Sequence, residues 1–177
     1  MEQILIQDVI KNNLNLTDSQ KISFSVVDIG KVIKLQLKKD FPLCDFSIRT
    51  EYYSGGCSLT ISLMKSNFKV IKLFGEISEE ALFDYKSNSR YTEEELKNNQ
   101  DKRYHQLNPY LSRDEYNPNH WDNGVFLTEE GHKLFKRVVY LADLFNYNHS
   151  DAMIDYFDVR FYLHLEIGRW NKDFIQN

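Results

Sequence analysis

Two runs of alternating hydrophobic and polar residues flank the single Gly-Gly pair of the chain, at positions 55 and 56. Alternation with a period of two is typical of a β-strand that buries one face. The segment Ser54-Gly55-Gly56 can supply the positive φ angles that a tight turn needs. The pattern therefore predicts a β-hairpin over residues 45–64. Its first strand carries Phe46, Ile48, Thr50 and Tyr52 on one face and Ser47, Arg49, Glu51 and Tyr53 on the other, and its second strand carries Leu59, Ile61 and Leu63 on the inward face.

The same alternation returns near the C-terminal end of the sequence and predicts a long strand over residues 157–167. Its inward positions are Phe157, Val159, Phe161, Leu163, Leu165 and Ile167, and its outward positions are Asp158, Arg160, Tyr162, His164 and Glu166. Burial of each such apolar side chain stabilises a fold by about 1.5–3 kcal/mol. We therefore expect this strand to be central to the hydrophobic core.

Two longer segments have hydrophobic residues at helical spacing. Residues 26–37 form the first, and Phe41-Pro42 ends it because a residue that precedes proline avoids helical geometry. Residues 134–145 form the second, with Thr128 placed to cap the start of the helix. The sequence also predicts a short helix over residues 2–13.

The sequence between residues 76 and 124 is more polar, with two Asn-Pro pairs that predict turns. Ser78 and Thr92 can each cap a short helix, and Glu95 can complete a capping box with Thr92. Aromatic residues are expected to order this segment; they are Tyr91, Tyr104, Tyr110, Tyr116 and Trp121. The expected fold is α+β. It is a single domain over residues 1–177, with an antiparallel or mixed sheet, helices packed on one face and a helical or loop insertion at about 76–124.

Charge and composition narrow the range of partners. The chain has 177 residues, with 26 acidic and 22 basic side chains and a net charge of −4. Broad binding to a phosphate backbone needs clustered Lys and Arg, so a basic protein surface is the better-matched partner. No segment approaches the roughly 20 apolar residues that span a bilayer, and we expect a cytoplasmic protein. Cys44 and Cys57 could be joined across the hairpin, but no sign of export supports a disulfide.

No catalytic motif is recognisable, and the sequence predicts neither an enzyme nor a cofactor. His164 and Glu166 could be an acid/base pair, but a solvated or partner-facing sheet surface explains them better. An oxygen-rich group could hold Mg²⁺ or Ca²⁺, yet its spacing matches no EF-hand loop and suits a helix-to-strand connection. This group consists of Asn146, Asn148, His149, Asp151, Asp155 and Asp158.

Two stretches of the chain resemble a known family. The hairpin string F-S-I-R-T-E-Y-Y-S-G-G-C-S-L-T-I-S, preceded by L-K-K-D-F-P, resembles the core motif of a large polyvalent protein-associated domain, the class numbered twenty-nine. The string F-N-Y-N-H-S-D-A-M-I-D-Y-F-D-V-R-F-Y-L-H-L-E-I-G-R-W is similar to segments in proteins of that group. The resemblance implies residence in phages and mobile elements, where such domains are suspected of acting against host defences. It implies no catalytic residues.

The outward positions of the hairpin and the last strand combine both charge signs with tyrosines, as polar protein interfaces with aromatic anchors do. With the resemblance, this favours an anti-CRISPR protein that binds an RNA-guided nuclease effector of the host, with its guide RNA as an alternative contact, and blocks guide or target loading. Acidic side chains would occupy a basic nucleic-acid channel in place of phosphates. The predicted partner-binding residues are Arg49, Glu51, Tyr53, Glu93, Glu94, Glu95, Asp151, Asp155, Asp158, Arg160, Tyr162, His164 and Glu166.

The alternative is a nucleic-acid-binding accessory domain of a mobile element. In that interpretation Arg49, Arg160 and the sheet tyrosines would hold a single strand by charge and stacking. Acidic residues on the same faces, Glu51 and Glu166 among them, dilute the positive charge and weaken this interpretation.

Overall fold

A computed structural model describes residues 17, 21, 23–88, 92, 94, 97, 104–110, 112–120, 127–147, 153 and 158–176. The helix predicted over residues 2–13 lies outside the described residues, as does Glu95 of the predicted capping box. No helix in the described part of the chain is both long enough and apolar enough to cross a membrane.

Five strands form one mixed sheet: β1 (Asp45–Tyr53), β2 (Gly56–Ser66), β3 (His105–Leu107), β4 (Tyr162–Ile167) and β5 (Ile175–Gln176). The strand order is β1-β2-β4-β3, and β5 pairs with the far end of β2. The β1–β2 and β3–β4 pairs are antiparallel, whereas β4 and β5 run parallel to β2. The predicted α+β class with a mixed sheet is confirmed.

The predicted hairpin is confirmed, with a two-residue turn. Tyr53 pairs with Gly56, which leaves Ser54 and Gly55 as the turn residues. Gly55 has a φ of 95°, a conformation that favours glycine. Gly56 is already the first residue of β2, so the turn needs only one of the two glycines.

The part of the chain that the structure describes contains three α-helices beside the sheet: α1 (Val26–Asp40), α2 (Glu79–Asn88) and α3 (Glu129–Asp143). The Ser25 and Thr128 side chains cap α1 and α3 by accepting hydrogen bonds from main-chain N–H groups, as short polar residues do at helix starts. Helix α1 packs on β1 and β2, and α3 packs beside α1 in the same hydrophobic core. The helices predicted over residues 26–37 and 134–145 are therefore confirmed.

The hydrophobic core lies between α1, α3 and the inward face of the sheet, whereas Ala81 and Tyr85 of α2 form a separate small cluster with Ile77. Leu59, Ile61 and Leu63 of β2 are completely buried, and Leu165 and Ile167 of β4 are almost completely buried. These are the positions that the alternating pattern assigns to the inward face. Strand β4 is thus central to the core, as predicted.

Strand β4 is shorter than the predicted strand over residues 157–167, because it begins only at Tyr162. Tyr162 pairs with Ser58, two residues after the start of β2, so the chain before Tyr162 has almost no partner strand left. Strand β3, within the segment predicted as an insertion, was missed. It has only three residues and no alternating pattern of its own.

Helix α3 approaches the chain near Val70 so closely that its first turn needs glycine. A Cβ atom on Gly131 would lie 2.6 Å from the Val70 carbonyl oxygen. The Thr128 hydroxyl holds the same segment in place by donating a 2.7 Å hydrogen bond to the Lys69 carbonyl.

Gly131→Ala is therefore expected to lower the free energy of unfolding by about 1–3 kcal/mol in urea denaturation, although alanine is the better helix former. Gly75→Ala is the control, because a Cβ atom there meets nothing within 4 Å. Equal losses in the two variants would contradict this packing.

Candidate protein-binding face

The sheet face opposite the helices is polar, and we call it the polar face. Strand register places Arg49 of β1, Thr60 of β2 and His164 of β4 side by side in one row. Residues that pair between neighbouring strands lie on the same face of the sheet, so the register also assigns the residues of the adjacent rows to this face. The polar face consists of Ser47, Arg49, Glu51 and Tyr53 from β1, Ser58, Thr60 and Ser62 from β2, and Tyr162, His164 and Glu166 from β4.

The middle of the polar face is lined by small hydroxyl side chains. Ser58, Thr60 and Ser62 of β2 are all buried, although they lie on the side away from the hydrophobic core. The larger residues of β1 and β4 rise on either side of them. This strand therefore forms the floor of a shallow trough, with β1 and β4 as its walls.

Arg49 and Glu166 form an ion pair across this floor. The Arg49 Nη2 atom lies 2.7 Å from Glu166 Oε2, which also accepts a 2.6 Å hydrogen bond from the Ser62 hydroxyl. Glu166 is only 8% exposed, so of the two expected settings, a solvated or a partner-facing surface, the solvated one does not hold for its side chain. The guanidinium of Arg49 neutralises the carboxylate, and a carboxylate in this position needs such a partner because burial of an unpaired charge is costly.

Tyr104 contacts the Glu166 carboxylate of this ion pair. Its hydroxyl donates a 3.3 Å hydrogen bond to Glu166 Oε1 and accepts a 3.0 Å hydrogen bond from the side-chain amide of Gln106. Burial, followed by the negative charge of Glu166, raises the pKa of the Tyr104 hydroxyl above its ordinary value, so it stays protonated and able to donate. The predicted role of Tyr104, ordering the middle segment, thus includes holding a strand edge against β4.

Tyr53 and Tyr162 form an aromatic pair at the hairpin end of the polar face. Their ring centroids are 6.4 Å apart with an interplanar angle of 30°. Gly56 lies between them, because a Cβ atom there would be 3.4 Å from the Tyr162 ring and 3.6 Å from the Tyr53 ring. The side chains remain 47% and 40% exposed, respectively. This pair is the part of the polar face that offers apolar area together with hydroxyl groups to a partner.

Arg160 points back into the protein instead of standing free on a sheet surface. Its guanidinium donates to the Phe145 carbonyl at 3.2 Å and to the Phe24 carbonyl, and its main-chain carbonyl accepts a 3.1 Å hydrogen bond from the Cys57 thiol. Burial lowers the pKa of Arg160 from its ordinary value. The guanidinium nevertheless stays charged, because arginine is not deprotonated in proteins. Arg160 therefore links the chain just before β4 to Phe145, just after α3, and to Phe24, just before α1.

The other predicted binding residues fall into three groups. Glu51, Glu94 and His164 are exposed. Asp158 is half-buried and has an interaction of its own. Glu93, Glu95, Asp151 and Asp155 lie outside the described residues. The structure thus brings six of the predicted residues onto the polar face, namely Arg49, Glu51, Tyr53, Tyr162, His164 and Glu166. Arg160 is directed away from this face, contrary to its predicted outward position.

Sequence reasoning missed Ser62 as a partner of Glu166 and the trough formed by the β2 hydroxyls. The signal was present, because Ser58, Thr60 and Ser62 alternate with the predicted inward leucine and isoleucine residues. Four residues of the oxygen-rich group, Asn148, His149, Asp151 and Asp155, lie outside the described residues. The described residues contain no group of three or more His, Cys, Asp or Glu side chains that could hold a metal ion. Asn146 instead bonds the main chain of Phe161 in both directions, at 3.0 and 3.2 Å.

Cys44 and Cys57 are free and buried, so the conceivable cross-hairpin disulfide is not formed. Burial raises the pKa of the Cys57 thiol, which lowers the thiolate fraction at a given pH.

We expect the native protein to react with Ellman's reagent at pH 8 far more slowly than the same protein unfolded in urea. Immediate reaction of both thiols in the native state would contradict their burial.

Comparison with known proteins gives one family. The sequence model of the family described as large polyvalent protein associated domain 29 matches residues 24–117, which is more than half of the chain. The matched range includes α1, the β1–β2 hairpin, α2 and β3. Neither the curated proteins nor the solved structures contain a match to the sequence. The family associates the protein with phages or mobile elements. The chain belongs to the large polyvalent protein associated domain 29 family.

Proposed function

We propose that this protein is a counter-defence protein of a phage or mobile element and that it acts by binding a host protein through the polar face. The proposed host protein is an RNA-guided nuclease effector, which makes this protein an anti-CRISPR inhibitor. The observation that carries the protein-binding proposal is the half-exposed Tyr53–Tyr162 pair beside an internally neutralised arginine. The family association with mobile elements supports the choice of a host-defence target.

The Tyr53–Tyr162 pair supports a protein partner because tyrosines are enriched among the residues that dominate binding energy at protein interfaces. A tyrosine side chain has only two rotatable torsions. Little conformational freedom is therefore lost on binding. Exposed Glu51 lies in the next row of β1 and adds a charge that a basic partner surface can pair.

The arginine contacts argue against the polar face as a nucleic-acid platform. Arg49 is paired with Glu166, and Arg160 is bonded to main-chain carbonyls. Phosphate binding draws its affinity from basic side chains that release counterions, and these two arginines already serve internal acceptors. The net charge of −4 also suits a basic protein partner better than a phosphate backbone.

The proposed mechanism is occlusion of a basic nucleic-acid channel. Tyr53 and Tyr162 would anchor the protein at the mouth of the channel, and acidic side chains would take the place of phosphate groups. Reversing the charges of Glu93, Glu94, Asp155 and Asp158 is expected to weaken binding and to flatten its dependence on salt, because screening acts on those charge pairs. The measurement is the dissociation constant at two or more salt concentrations. An unchanged constant and an unchanged salt slope would refute the role of these acids.

The experiment that tests the proposal is an affinity pull-down from bacterial lysates that express different RNA-guided nucleases, with and without added nuclease, read by mass spectrometry. Stoichiometric recovery of one effector after nucleic acid has been digested is the expected result. Recovery of nucleic acid alone, lost on digestion, would overturn the protein-binding proposal in favour of an accessory nucleic-acid-binding domain.

A further inference from the structure

Strand β1 leaves one edge of the sheet open. In the strand order it lies at the end, and among the described residues only β2 pairs with it. Tyr53 and Gly56 flank the two-residue turn, so odd-numbered residues of β1 exchange main-chain hydrogen bonds with β2. The N–H and C=O groups of Ile48, Thr50 and Tyr52 therefore point to the open edge. No other described residue forms a hydrogen bond with them.

This edge lacks most of the usual protection against pairing with another strand. Natural edge strands are commonly short, or carry charged side chains, Lys above all, or Pro, or are twisted away by a bulge. Strand β1 has nine residues with neither Lys nor Pro among them, and the charges of its regular part, Arg49 and Glu51, have opposite signs. Its only irregularity lies at its first step, between Asp45 and Phe46. From Phe46 to Tyr53 the edge is a regular template for one more strand.

We propose that a second copy of this chain pairs with this edge, as an antiparallel β1–β1 dimer whose two-fold axis passes beside Thr50. In that register Thr50 lies opposite Thr50 of the other copy, and Ile48 lies opposite Tyr52. Arg49, which keeps its ion pair with Glu166, lies opposite Glu51 of the other copy, and the two-fold symmetry places this pair of opposite charges side by side twice. Thr–Thr pairs and opposite-charge pairs are among the favourable cross-strand combinations.

The pairing is self-complementary in hydrogen bonding as well as in charge. The residues that meet across the axis at Thr50 are those whose N–H and C=O groups already point outward, so a complete ladder forms without a shift in register. Glu51 is exposed and Tyr52 is 65% exposed, so both are available to the second copy. In this dimer the open β1 edge of each copy pairs with that of the other copy. No β1 edge then remains open, so a filament cannot grow through β1. The two polar faces then become parts of one continuous sheet surface.

The first test is the mass of the protein in solution, measured by light scattering during size-exclusion chromatography. The wild type is expected at twice the 21.1 kDa mass of one chain. Glu51→Lys places like charges opposite each other twice and is expected to weaken the dimer by roughly tenfold or more. Glu79→Lys is the matched control, since it makes the same charge change at an exposed residue of α2 and should leave the dimer intact. A wild-type monomer, or equal effects of the two variants, would overturn the proposal.

The second test fixes the register and does not depend on a change in affinity. Directly opposed residues of a hydrogen-bonded antiparallel pair have Cα atoms about 5.5 Å apart, within the range of a disulfide. Thr50→Cys should therefore cross-link two chains under mild oxidation. Tyr52→Cys should not, because its two copies would be separated by four residues along the strands, about 13 Å. Cross-linking through position 52 with none through position 50 would overturn this pairing, and circular dichroism would verify that both variants are folded.

Discussion

Arg49→Met is expected to lower the free energy of unfolding by about 3 kcal/mol, because it leaves the Glu166 carboxylate buried without its counter-charge. Among the described residues, Glu166 then retains only the hydroxyl donors of Ser62 and Tyr104. Neutral donors cannot replace a guanidinium at 2.7 Å from a carboxylate oxygen. The measurement is the midpoint and slope of urea denaturation.

A matched control and a rescue separate this effect from the loss of any arginine. Arg113 pairs with Asp143 at a similar distance of 2.7 Å, but both side chains are 37% exposed, so Arg113→Met should cost at most about 1 kcal/mol. Adding Glu166→Gln to Arg49→Met removes the unpaired charge and should recover most of the lost stability. Equal losses for Arg49→Met and Arg113→Met, with no rescue, would contradict the internal ion pair.

The Tyr53→Ala, Tyr162→Ala double variant is expected to weaken binding to the host effector by about 30-fold or more, which corresponds to the loss of one binding hot spot of about 2 kcal/mol. Both rings contribute to one contact surface, so the two substitutions are made together. The measurement is the dissociation constant of the purified complex, by isothermal titration calorimetry.

Tyr52→Ala is the control for this binding experiment. Tyr52 is adjacent in sequence to Tyr53 and more exposed, at 65%, but it lies on the opposite face of β1. It should bind with nearly wild-type affinity. If Tyr52→Ala weakened binding as much as the double variant, the contact would not lie on the polar face.

Local patterns were sufficient to predict the hairpin, α1 and α3. In each of them, hydrophobic residues with a clear period lie next to a residue that forms a turn, caps a helix or ends one. Both signals lie within one short stretch of chain, and the structure has the predicted element there. Strand β4 was recognised by its alternation. Its true start was not, because that depends on where β2 begins, about 100 residues earlier in the sequence.

The polar face shows the limit of the same reasoning. Alternation correctly separated the two faces of β1, β2 and β4, but it cannot tell whether an outward residue meets water or another segment. Arg49 and Glu166 are separated by 117 positions, and their contact arises only because β4 inserts parallel to β2. Tyr104, which helps to bury Glu166, enters through β3, a strand too short to leave a periodic signal.

The most direct test of the central claim, that the polar face binds an RNA-guided nuclease in place of nucleic acid, is a competition measurement. Fluorescence anisotropy of labelled guide RNA would be followed as the recovered effector is mixed with this protein. We expect the wild type to prevent the rise in anisotropy that marks guide loading, and the Tyr53→Ala, Tyr162→Ala variant to lose that effect. Undiminished guide loading at a saturating concentration of wild-type protein, or direct binding of the RNA by the protein alone, would contradict the account.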